Sequence, residues 1–246
     1  MRIIIAPAKK MNMDDTLEWH GLPQFLPQTR QLLETLQRMS YEELKKLWGC
    51  NDSIAALNFQ RLKGMQLTQN LTPAILSYEG IQYQRMAPGV FTYGELEYIE
   101  EHLRILSGFY GMVRPFDGVT PYRLEMQAKL QIDGKANLYA FWGDRLTRQL
   151  EQETDTILNL ASYEYSKAVS KHLSPGTRMV TCVFAERKGE KLIEKGTICK
   201  MARGEMVRFM AVNRIEDPTA VQAFTGLGFR FHLELSDETQ YIFIKE

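Results

Sequence analysis

Met1-Arg2-Ile3-Ile4-Ile5-Ala6-Pro7 carries the first clear structural signal of the chain. Three consecutive β-branched residues followed by a proline are typical of a short buried strand. Residues 156–160 predict a second buried strand, and residues 179–193 and 229–244 predict two hairpins. Helical segments lie between these strands without a regular strand–helix alternation. The sequence therefore predicts an α+β fold, a single domain over residues 1–246 in which helices surround a mixed central sheet.

Capping residues mark where several helices begin. Ser40 with Glu43 and Thr92 with Glu95 both match the capping-box pattern, in which two side chains satisfy free N–H groups of a first helical turn. Residues 74–78 predict a further strand because they form a short apolar run after a proline. The predicted helices cover residues 28–39, 41–48 (ending at Gly49), 51–64, 92–107, 137–152, 200–213 and a short segment that begins at Pro218.

The charge balance restricts the class of protein. Thirty Lys and Arg residues balance thirty Asp and Glu residues, so the formal net charge is zero. This balance excludes a histone-like protein that wraps nucleic acid by bulk charge. Between Lys171 and Arg214, however, ten Lys or Arg residues face only four Glu residues. A local basic surface therefore remains compatible with a neutral chain.

No sequence feature predicts a leader, a membrane span, a metal or a cofactor. Three widely spaced cysteines without a CxxC pair are typical of reduced thiols in the cytoplasm. No stretch approaches the roughly 20 apolar residues that a bilayer span requires. Four widely spaced histidines show no metal-ligand spacing, and the standard nucleotide-binding motifs are missing. We expect a cytoplasmic protein without metal or cofactor.

The stretch from Leu106 to Met126 combines three glycines and two prolines with charged and phenolic side chains. Its polar members are Arg114, Asp117, Tyr122, Arg123 and Glu125. Glycines and prolines fix the path of a backbone, and such paths often present side chains at a functional site. The alternative is an internal network that only orders the loop, with ion pairs Arg114–Asp117 and Arg123–Glu125. The local pattern does not decide between the two.

Two further segments carry groups that suit an anion. Residues 159–167 predict a strand that leads into a helix, where Ser162 is a candidate cap and Glu164 and Lys167 lie near the helix start. On a later predicted helix, Arg203 and Arg208 place basic groups on neighbouring turns, as phosphate contacts require. A solvated helix face is the alternative for this basic stripe.

In chain order, these segments resemble the YaaA family of bacterial peroxide-stress proteins over essentially the whole sequence. Ala6-Pro7-Ala8-Lys9 is similar to the Ser-Pro-Ala-Lys segment of the family, with Ala6 in place of the serine. The other matching segments are Leu103 to Gly108, Tyr110-Gly111, Arg114-Pro115, Asp117, Pro121 to Met126, Phe141 to Asp144, Asn159 to Ser162, Glu164-Tyr165, Lys167, Ala202 to Gly204, Arg208-Phe209 and Asn213-Arg214.

The resemblance implies a cytosolic protein that limits peroxide damage by lowering free intracellular iron. It also implies a positively charged cleft that binds DNA and a helix-hairpin-helix element. The best candidate for that element is 41–63, where only Gly49 represents the family's Gly-apolar-Gly turn. Its expected contacts are Lys45, Lys46, Gly49 and Arg61, and the expected cleft residues are Lys9, Arg114, Arg123, Lys167, Arg203 and Arg208.

Two hypotheses about function follow. The first is a non-enzymatic protein, expected to be a monomer, that binds duplex or distorted DNA by reading its shape. The second is an enzyme that acts on a nucleotide-like or other anionic small molecule in the same cleft. Its candidate acid, base or network residues are Asp117, Tyr122, Glu125, Asp144, Ser162 and Glu164. The first hypothesis is the favoured one.

Overall fold

A computed structural model describes residues 1–189 and 191–245 and shows a mixed sheet with helices packed against it. The strands are β1 (Arg2–Ile5), β2 (Lys10–Met11), β3 (Thr72–Pro73), β4 (Tyr78–Glu79), β5 (Leu103–Ser107), β6 (Gly111–Val113), β7 (Gly118–Val119), β8 (Thr156–Leu160), β9 (Arg178–Lys188), β10 (Lys191–Ile193), β11 (Phe229–Phe231) and β12 (Gln240–Lys245).

The main sheet has the order β11-β12-β9-β8-β1-β5-β6, and β10 pairs with β9 at one side. The five inner strands, from β12 to β5, run parallel, whereas β6, β10 and β11 are antiparallel to their neighbours. Two short antiparallel pairs, β2–β4 and β3–β7, lie outside this sheet. The predicted mixed sheet is therefore confirmed.

Strand β1 lies in the interior of the sheet, with β5 on one side and β8 on the other. Ile3, Ile4 and Ile5 are completely buried. A strand that is covered on both faces favours a continuous run of β-branched residues over an alternating pattern. The N-terminal isoleucines therefore fit this position for a simple physical reason.

The helices surround the sheet and the connections between its strands. They are α1 (Leu26–Gln37), α2 (Tyr41–Trp48), α3 (Asp52–Lys63), α4 (Ala74–Ser77), α5 (Ile81–Met86), α6 (Tyr93–His102), α7 (Leu138–Trp142), α8 (Arg145–Glu153), α9 (Tyr163–Ser170) and α10 (Gly196–Asn213). Short 3-10 turns occupy Pro88–Val90, Pro218–Ala223, Gly226–Gly228 and Leu233–Leu235. No helix in the described part of the chain has the length and apolarity needed to cross a bilayer.

Local signals predicted most helix starts correctly. Both capping boxes are present, since Ser40 and Thr92 each accept a hydrogen bond from the backbone N–H of the glutamate three residues later. Gly49 ends α2 in the left-handed region at φ 54°, and Asn51 caps α3 through its side chain. The two predicted hairpins are confirmed by the antiparallel pairs β9–β10 and β11–β12.

Three predicted elements were wrong. The predicted strand 74–78 is a single helical turn over Ala74–Ser77, and only Tyr78 enters a strand, β4. The N–H groups of Ala74 and Ile75 donate to the carbonyls of Asp117 and Pro115, which attaches this turn to the loop before β7 and not to the main sheet. The predicted helix 92–107 ends at His102, where the chain becomes strand β5. The predicted helix 137–152 is divided into α7 and α8 at Gly143, which adopts a positive φ of 55°.

The order of the parallel strands creates a switch point between β1 and β8. From the carboxyl end of β1 the chain continues to β5 on one side, and from that of β8 it continues through α9 to β9 on the other side. In open α/β sheets, such divergence leaves a crevice outside the carboxyl ends of the two strands. The fold therefore contains one preferred place for a ligand.

Helix α10 packs closely against α5 at Gly204. A Cβ atom at this position would lie 2.1 Å from the backbone oxygen of Gln82, which is far inside van der Waals contact. Gly196 begins the same helix, and a Cβ there would meet nothing within 4 Å. The absence of a side chain at Gly204 therefore sets the distance between the two helices.

We expect Gly204→Ala to lower the free energy of unfolding by about 1–3 kcal/mol, because overpacking must push α10 away from α5. Gly196→Ala is the matched control and should leave stability unchanged or slightly raised, since alanine favours a helix. Urea unfolding followed by circular dichroism measures both. Equal midpoints for the two variants would show that the α5–α10 contact does not constrain the fold.

Candidate functional site

A cavity of about 360 Å³ lies at the switch point, between the segments that follow β1 and β8. Its walls come from residues 6–10 after β1, from α5, from residues 122–125, from the start of α9, and from α10. We refer to it as the main cavity. Its size falls within the range of small-molecule sites, and its place in the sheet is where ligands of α/β proteins bind.

The main cavity collects more cations than anions. Its lining includes Lys9, Lys10, Arg123, Lys200 and Arg203, but only three acidic side chains, Glu79, Glu125 and Glu164. Two of the acids are paired: Lys9 Nζ lies 2.7 Å from Glu125 Oε2, and Lys10 Nζ lies 2.6 Å from Glu79 Oε1. The excess of positive charge favours an anionic ligand.

Glu125 holds two of these cations at once. Besides Lys9, it approaches Arg123, whose Nη2 lies 3.5 Å from Glu125 Oε1. The predicted pair Arg123–Glu125 is therefore present. The Arg123 side chain is only 10% exposed, and its buried Nε has no hydrogen-bond partner among the described residues. A buried guanidinium with an unused N–H group retains a donor for a ligand.

Arg203 is half-buried in the main cavity and has no carboxylate partner among the described residues. Burial lowers the pKa of its guanidinium, and its Nε is buried without a hydrogen-bond partner among the described residues. It also forms no ion pair with the carboxylates described, in contrast to Lys9 and Lys10. Removing a charge from water is unfavourable unless the charge is paired. An unpaired arginine in a cavity is therefore best explained by a ligand that supplies the missing negative charge.

Gln82 adds a neutral donor to the same cavity. The residue is 6% exposed, and its side-chain Nε2 is buried with no hydrogen-bond partner among the described residues. Sequence reasoning missed Gln82, because a single glutamine in a short helix carries no motif. It becomes recognisable only when its burial and its unused amide are seen together.

The start of α9 forms one end of the cavity. Ser162 occupies the N-cap position, as predicted, but its side chain makes no capping hydrogen bond. Its hydroxyl is therefore not committed to the helix. Because the first N–H groups of a helix lack intrahelical partners, this end of α9 carries partial positive charge.

Glu164 is an acidic residue of the main cavity whose carboxyl has a raised pKa. Burial raises the pKa of its carboxyl above the ordinary value, and the nearby Glu125 carboxylate adds to this rise. The backbone N–H of Gln127 donates to Glu164 Oε1 at 3.2 Å and acts in the opposite direction. A carboxyl group with a raised pKa is suited to proton transfer.

The Tyr122 hydroxyl is held in a chain of buried hydroxyl groups. It lies 2.6 Å from Ser107 Oγ and 3.0 Å from the Tyr78 hydroxyl. Ser107 Oγ already accepts two backbone N–H bonds, from Phe109 and Tyr110, so its own hydrogen points to Tyr122. Burial raises the pKa of Tyr122 to about 12. This environment favours a structural role for Tyr122 over an acid or base role.

A wider groove of about 710 Å³ borders the main cavity. It is lined by the end of α2, including Lys46 and Gly49, and by Lys129, and it shares Lys9, Arg123 and Glu125 with the main cavity. We refer to it as the hairpin groove, since it lies beside the turn between α2 and α3. The structure therefore brings part of the predicted hairpin next to the predicted cleft.

Several predicted site residues lie elsewhere. Arg114 and Asp117 line a separate polar cavity of about 300 Å³ together with Arg104 and Glu153. Lys167 lies 4.9 Å from the ring centre of Tyr139, and Asp144 pairs with Arg148. Arg208 lies on α10 and lines neither the main cavity nor the hairpin groove.

Two of the predicted hairpin contacts are used within the protein. Lys45 pairs with Asp52 at 2.7 Å, and Arg61 donates from Nη2 to the carbonyl of Met11 at 3.1 Å. Of the predicted cations, the main cavity therefore collects Lys9, Arg123 and Arg203, and of the predicted acid, base or network residues it collects Tyr122, Glu125, Ser162 and Glu164. Lys129 of the groove lies outside every predicted segment that we singled out.

A family model described as peroxide stress protein YaaA matches residues 1–235. The chain belongs to the YaaA family of peroxide-stress proteins. It is 56% identical over its full length to a UPF0246 protein of Lachnoclostridium phytofermentans, covering 96% of that protein. It is 54% identical to a UPF0246 protein of Desulfitobacterium hafniense, covering 98% of it, and 51% identical over 99% of both chains to one of Lactiplantibacillus plantarum.

Metal-binding groups do not come together in the described part of this YaaA-family chain. Within residues 1–189 and 191–245, no three or more His, Cys, Asp or Glu side chains are grouped so that they could hold a metal ion. The polar groups of the main cavity are mostly hydrogen-bond donors, and donors suit an anion.

Asp117 is buried in the loop that this family member folds against Gly21. Burial raises the pKa of its carboxyl to about 6, although its Oδ2 accepts the Arg114 backbone N–H at 2.8 Å. This hydrogen bond favours the alternative in which Arg114 and Asp117 only order the loop. Because the pKa of Asp117 is higher in the folded state than its ordinary value of 3.8, ionisation of this group destabilises the fold.

We expect wild-type protein to lose stability relative to Asp117→Asn as the pH rises from about 4 to about 6. The folded state binds the Asp117 proton more tightly than the unfolded state. The stability that this proton adds is therefore fully present below about pH 4 and lost above about pH 6. The difference should be on the order of 2–3 kcal/mol. Urea unfolding of both proteins across this pH range measures it, and parallel pH profiles would contradict the raised pKa.

Proposed function

We propose that this peroxide-stress protein binds duplex or distorted DNA along the hairpin groove. The observation that carries the proposal is the row of cations Lys46, Lys129, Lys9 and Arg123 in one open groove beside the α2–α3 turn. Lysines and arginines along a groove contact backbone phosphates without regard to base sequence. The groove, at about 710 Å³, is about twice as large as the main cavity, whose volume of about 360 Å³ suits a small molecule.

The charges of the groove set the strength of this binding. Glu43 and Glu125 also line it, and Glu125 partly neutralises Lys9 and Arg123. Each phosphate contact contributes about −0.9 to the slope of log affinity against log salt. Four cations therefore allow a slope of log affinity against log salt that is no steeper than about −4. Binding should be modest and strongly sensitive to salt.

The double variant Lys46→Gln/Lys129→Gln should bind DNA more weakly at every sequence and show a salt slope shallower by about 2. Both lysines line the groove and not the main cavity. Fluorescence anisotropy with a labelled duplex and with a bulged duplex, from 25 to about 200 mM salt, measures affinity and slope.

Arg230→Gln is the matched control, because Arg230 is exposed on edge strand β11 and its loss also removes one positive charge. It should retain the wild-type slope. The proposal is wrong if wild-type protein does not bind at 25 mM salt, or if the double variant keeps the wild-type slope.

We infer that the protein also lowers free intracellular iron, because iron drives the chemistry by which peroxide damages a cell and the family model is described as a peroxide stress protein. Less free iron means less hydroxyl-radical chemistry when peroxide enters the cell. A bacterial strain that lacks the protein should contain more iron visible by electron paramagnetic resonance after a peroxide challenge. Equal iron signals in the deleted and complemented strains would contradict this part of the proposal.

A second candidate function is an enzymatic reaction of an anionic small molecule in the main cavity. The observation that favours it is the position of the cavity at the switch point of the parallel sheet, where α/β enzymes place their substrates. Glu164, with its raised pKa, and the uncommitted Ser162 hydroxyl are the candidate reactive groups. This candidate and DNA binding use adjoining surfaces that share Lys9, Arg123 and Glu125.

A further inference from the structure

Three donors of the main cavity lack protein partners. Arg203 forms no ion pair with the described carboxylates, and its buried Nε has no acceptor. The buried Nε2 of Gln82 likewise has no acceptor among the described residues. Ser162 caps α9 without a side-chain hydrogen bond. Since buried polar groups are almost always hydrogen-bonded, the buried Nε of Arg203 and Nε2 of Gln82 indicate acceptor atoms that the protein itself does not provide. The half-buried Ser162 hydroxyl adds a donor that the helix does not use.

These donors come from three separate elements that meet at one cavity. Gln82 lies on α5, Arg203 on α10, and Ser162 begins α9. The contact of Gly204 with the Gln82 carbonyl holds α5 and α10 together, so the positions of Gln82 and Arg203 are coupled. A set of donors held by packed helices is suited to bind one small anion in a defined orientation.

The charge of the cavity matches a dianion. Five cationic side chains line it against three acidic ones, and the cations that lack a carboxylate partner among the described residues are Lys200 and Arg203. A phosphate monoester carries close to two negative charges at neutral pH and offers three acceptor oxygens. Arginine and a helix N-terminus are both common ligands of phosphate.

The rest of the cavity is too large and too apolar for a free phosphate ion. Pro7, Ile81, Leu124 and the ring-bearing Tyr83 form part of its wall. The Tyr83 hydroxyl donates to the Ala6 carbonyl at 3.0 Å, which fixes the position of its ring. Small-molecule sites combine an apolar wall with a few oriented polar groups in this way.

We propose that the main cavity binds a phosphate monoester, whose phosphate is held by Arg203, Gln82 and the start of α9. The organic group of the ester lies against Pro7, Ile81 and Leu124. The ester is a nucleoside monophosphate or a sugar phosphate, which share this phosphate chemistry. The proposal deepens the second candidate function, because it names the ligand class of the cavity, and it requires no particular reaction.

Isothermal titration calorimetry at low salt tests the proposal with three probes: adenosine 5′-monophosphate, ribose 5-phosphate and inorganic phosphate. At least one of the two esters should bind at least about tenfold more tightly than inorganic phosphate. The ester that binds more tightly identifies whether a base contributes. The absence of binding for both esters at millimolar concentration would overturn the proposal, and equal affinity for inorganic phosphate would overturn the role of the apolar wall.

Arg203→Gln separates a ligand-binding role from a structural one. This variant should lose at least about tenfold in ester affinity. At the same time its ligand-free form should unfold at an equal or higher urea concentration than wild type, because a half-buried charge without a carboxylate partner among the described residues is gone. A purely structural arginine would give the opposite result, a clear loss of stability. Unchanged ester affinity in a folded Arg203→Gln protein would overturn the proposal.

Two further variants complete the experiment. If Arg203→Gln does not fold, Gln82→Leu replaces it, since the loss of one neutral donor should still weaken ester binding. Arg230→Gln, an exposed arginine on β11, is the control for loss of charge and should bind the ester as wild type does. The proposal and DNA binding fail separately: ester titrations of wild-type protein decide the first, and anisotropy with wild-type protein decides the second.

Discussion

The pairing of β1 with two parallel neighbours is the constraint on which the rest of the molecule depends. Strand β5 lies on one edge of β1 and β8 on the other, and β9 follows on the far side of β8, so the chains that leave β1 and β8 turn in opposite directions. The crevice between these two segments holds the main cavity. The main cavity is therefore a direct consequence of strand order, and Ile3-Ile4-Ile5 stabilises it only by keeping β1 in the core.

A chain without net charge can still hold a site for an anion if its acids are placed unequally. In the main cavity, one carboxylate, Glu125, faces both Lys9 and Arg123 and limits their repulsion. Arg203 has no such carboxylate partner among the described residues. The cavity thus remains stable without ligand while one strong donor stays available. The composition of the whole chain does not reveal this arrangement, because the arrangement depends on which acid lies next to which base.

Local signals in the sequence predicted what local interactions determine. Both capping boxes and the Gly49 helix end depend on residues close in the chain, and they were predicted correctly. Residues 103–107 were predicted as the end of the long helix that begins at the Thr92 capping box. Their strand conformation depends on hydrogen bonds to β1, which lies far away in sequence. Propensity is a weak guide where such pairing decides.

The same distinction applies to the site. Lys9, Arg123, Glu125 and Glu164 were singled out from their segments, and the sheet brings these segments together. Arg114 and Asp117 belong to the same glycine-rich segment as Arg123 but lie in another cavity, because the loop folds back against Gly21. The position of β1 has one more consequence, for biosynthesis. Its partner β8 ends only at Leu160, so the three isoleucines leave the ribosome well before both edges of β1 can be paired, and a nascent chain in that state exposes an apolar strand of the kind that aggregates.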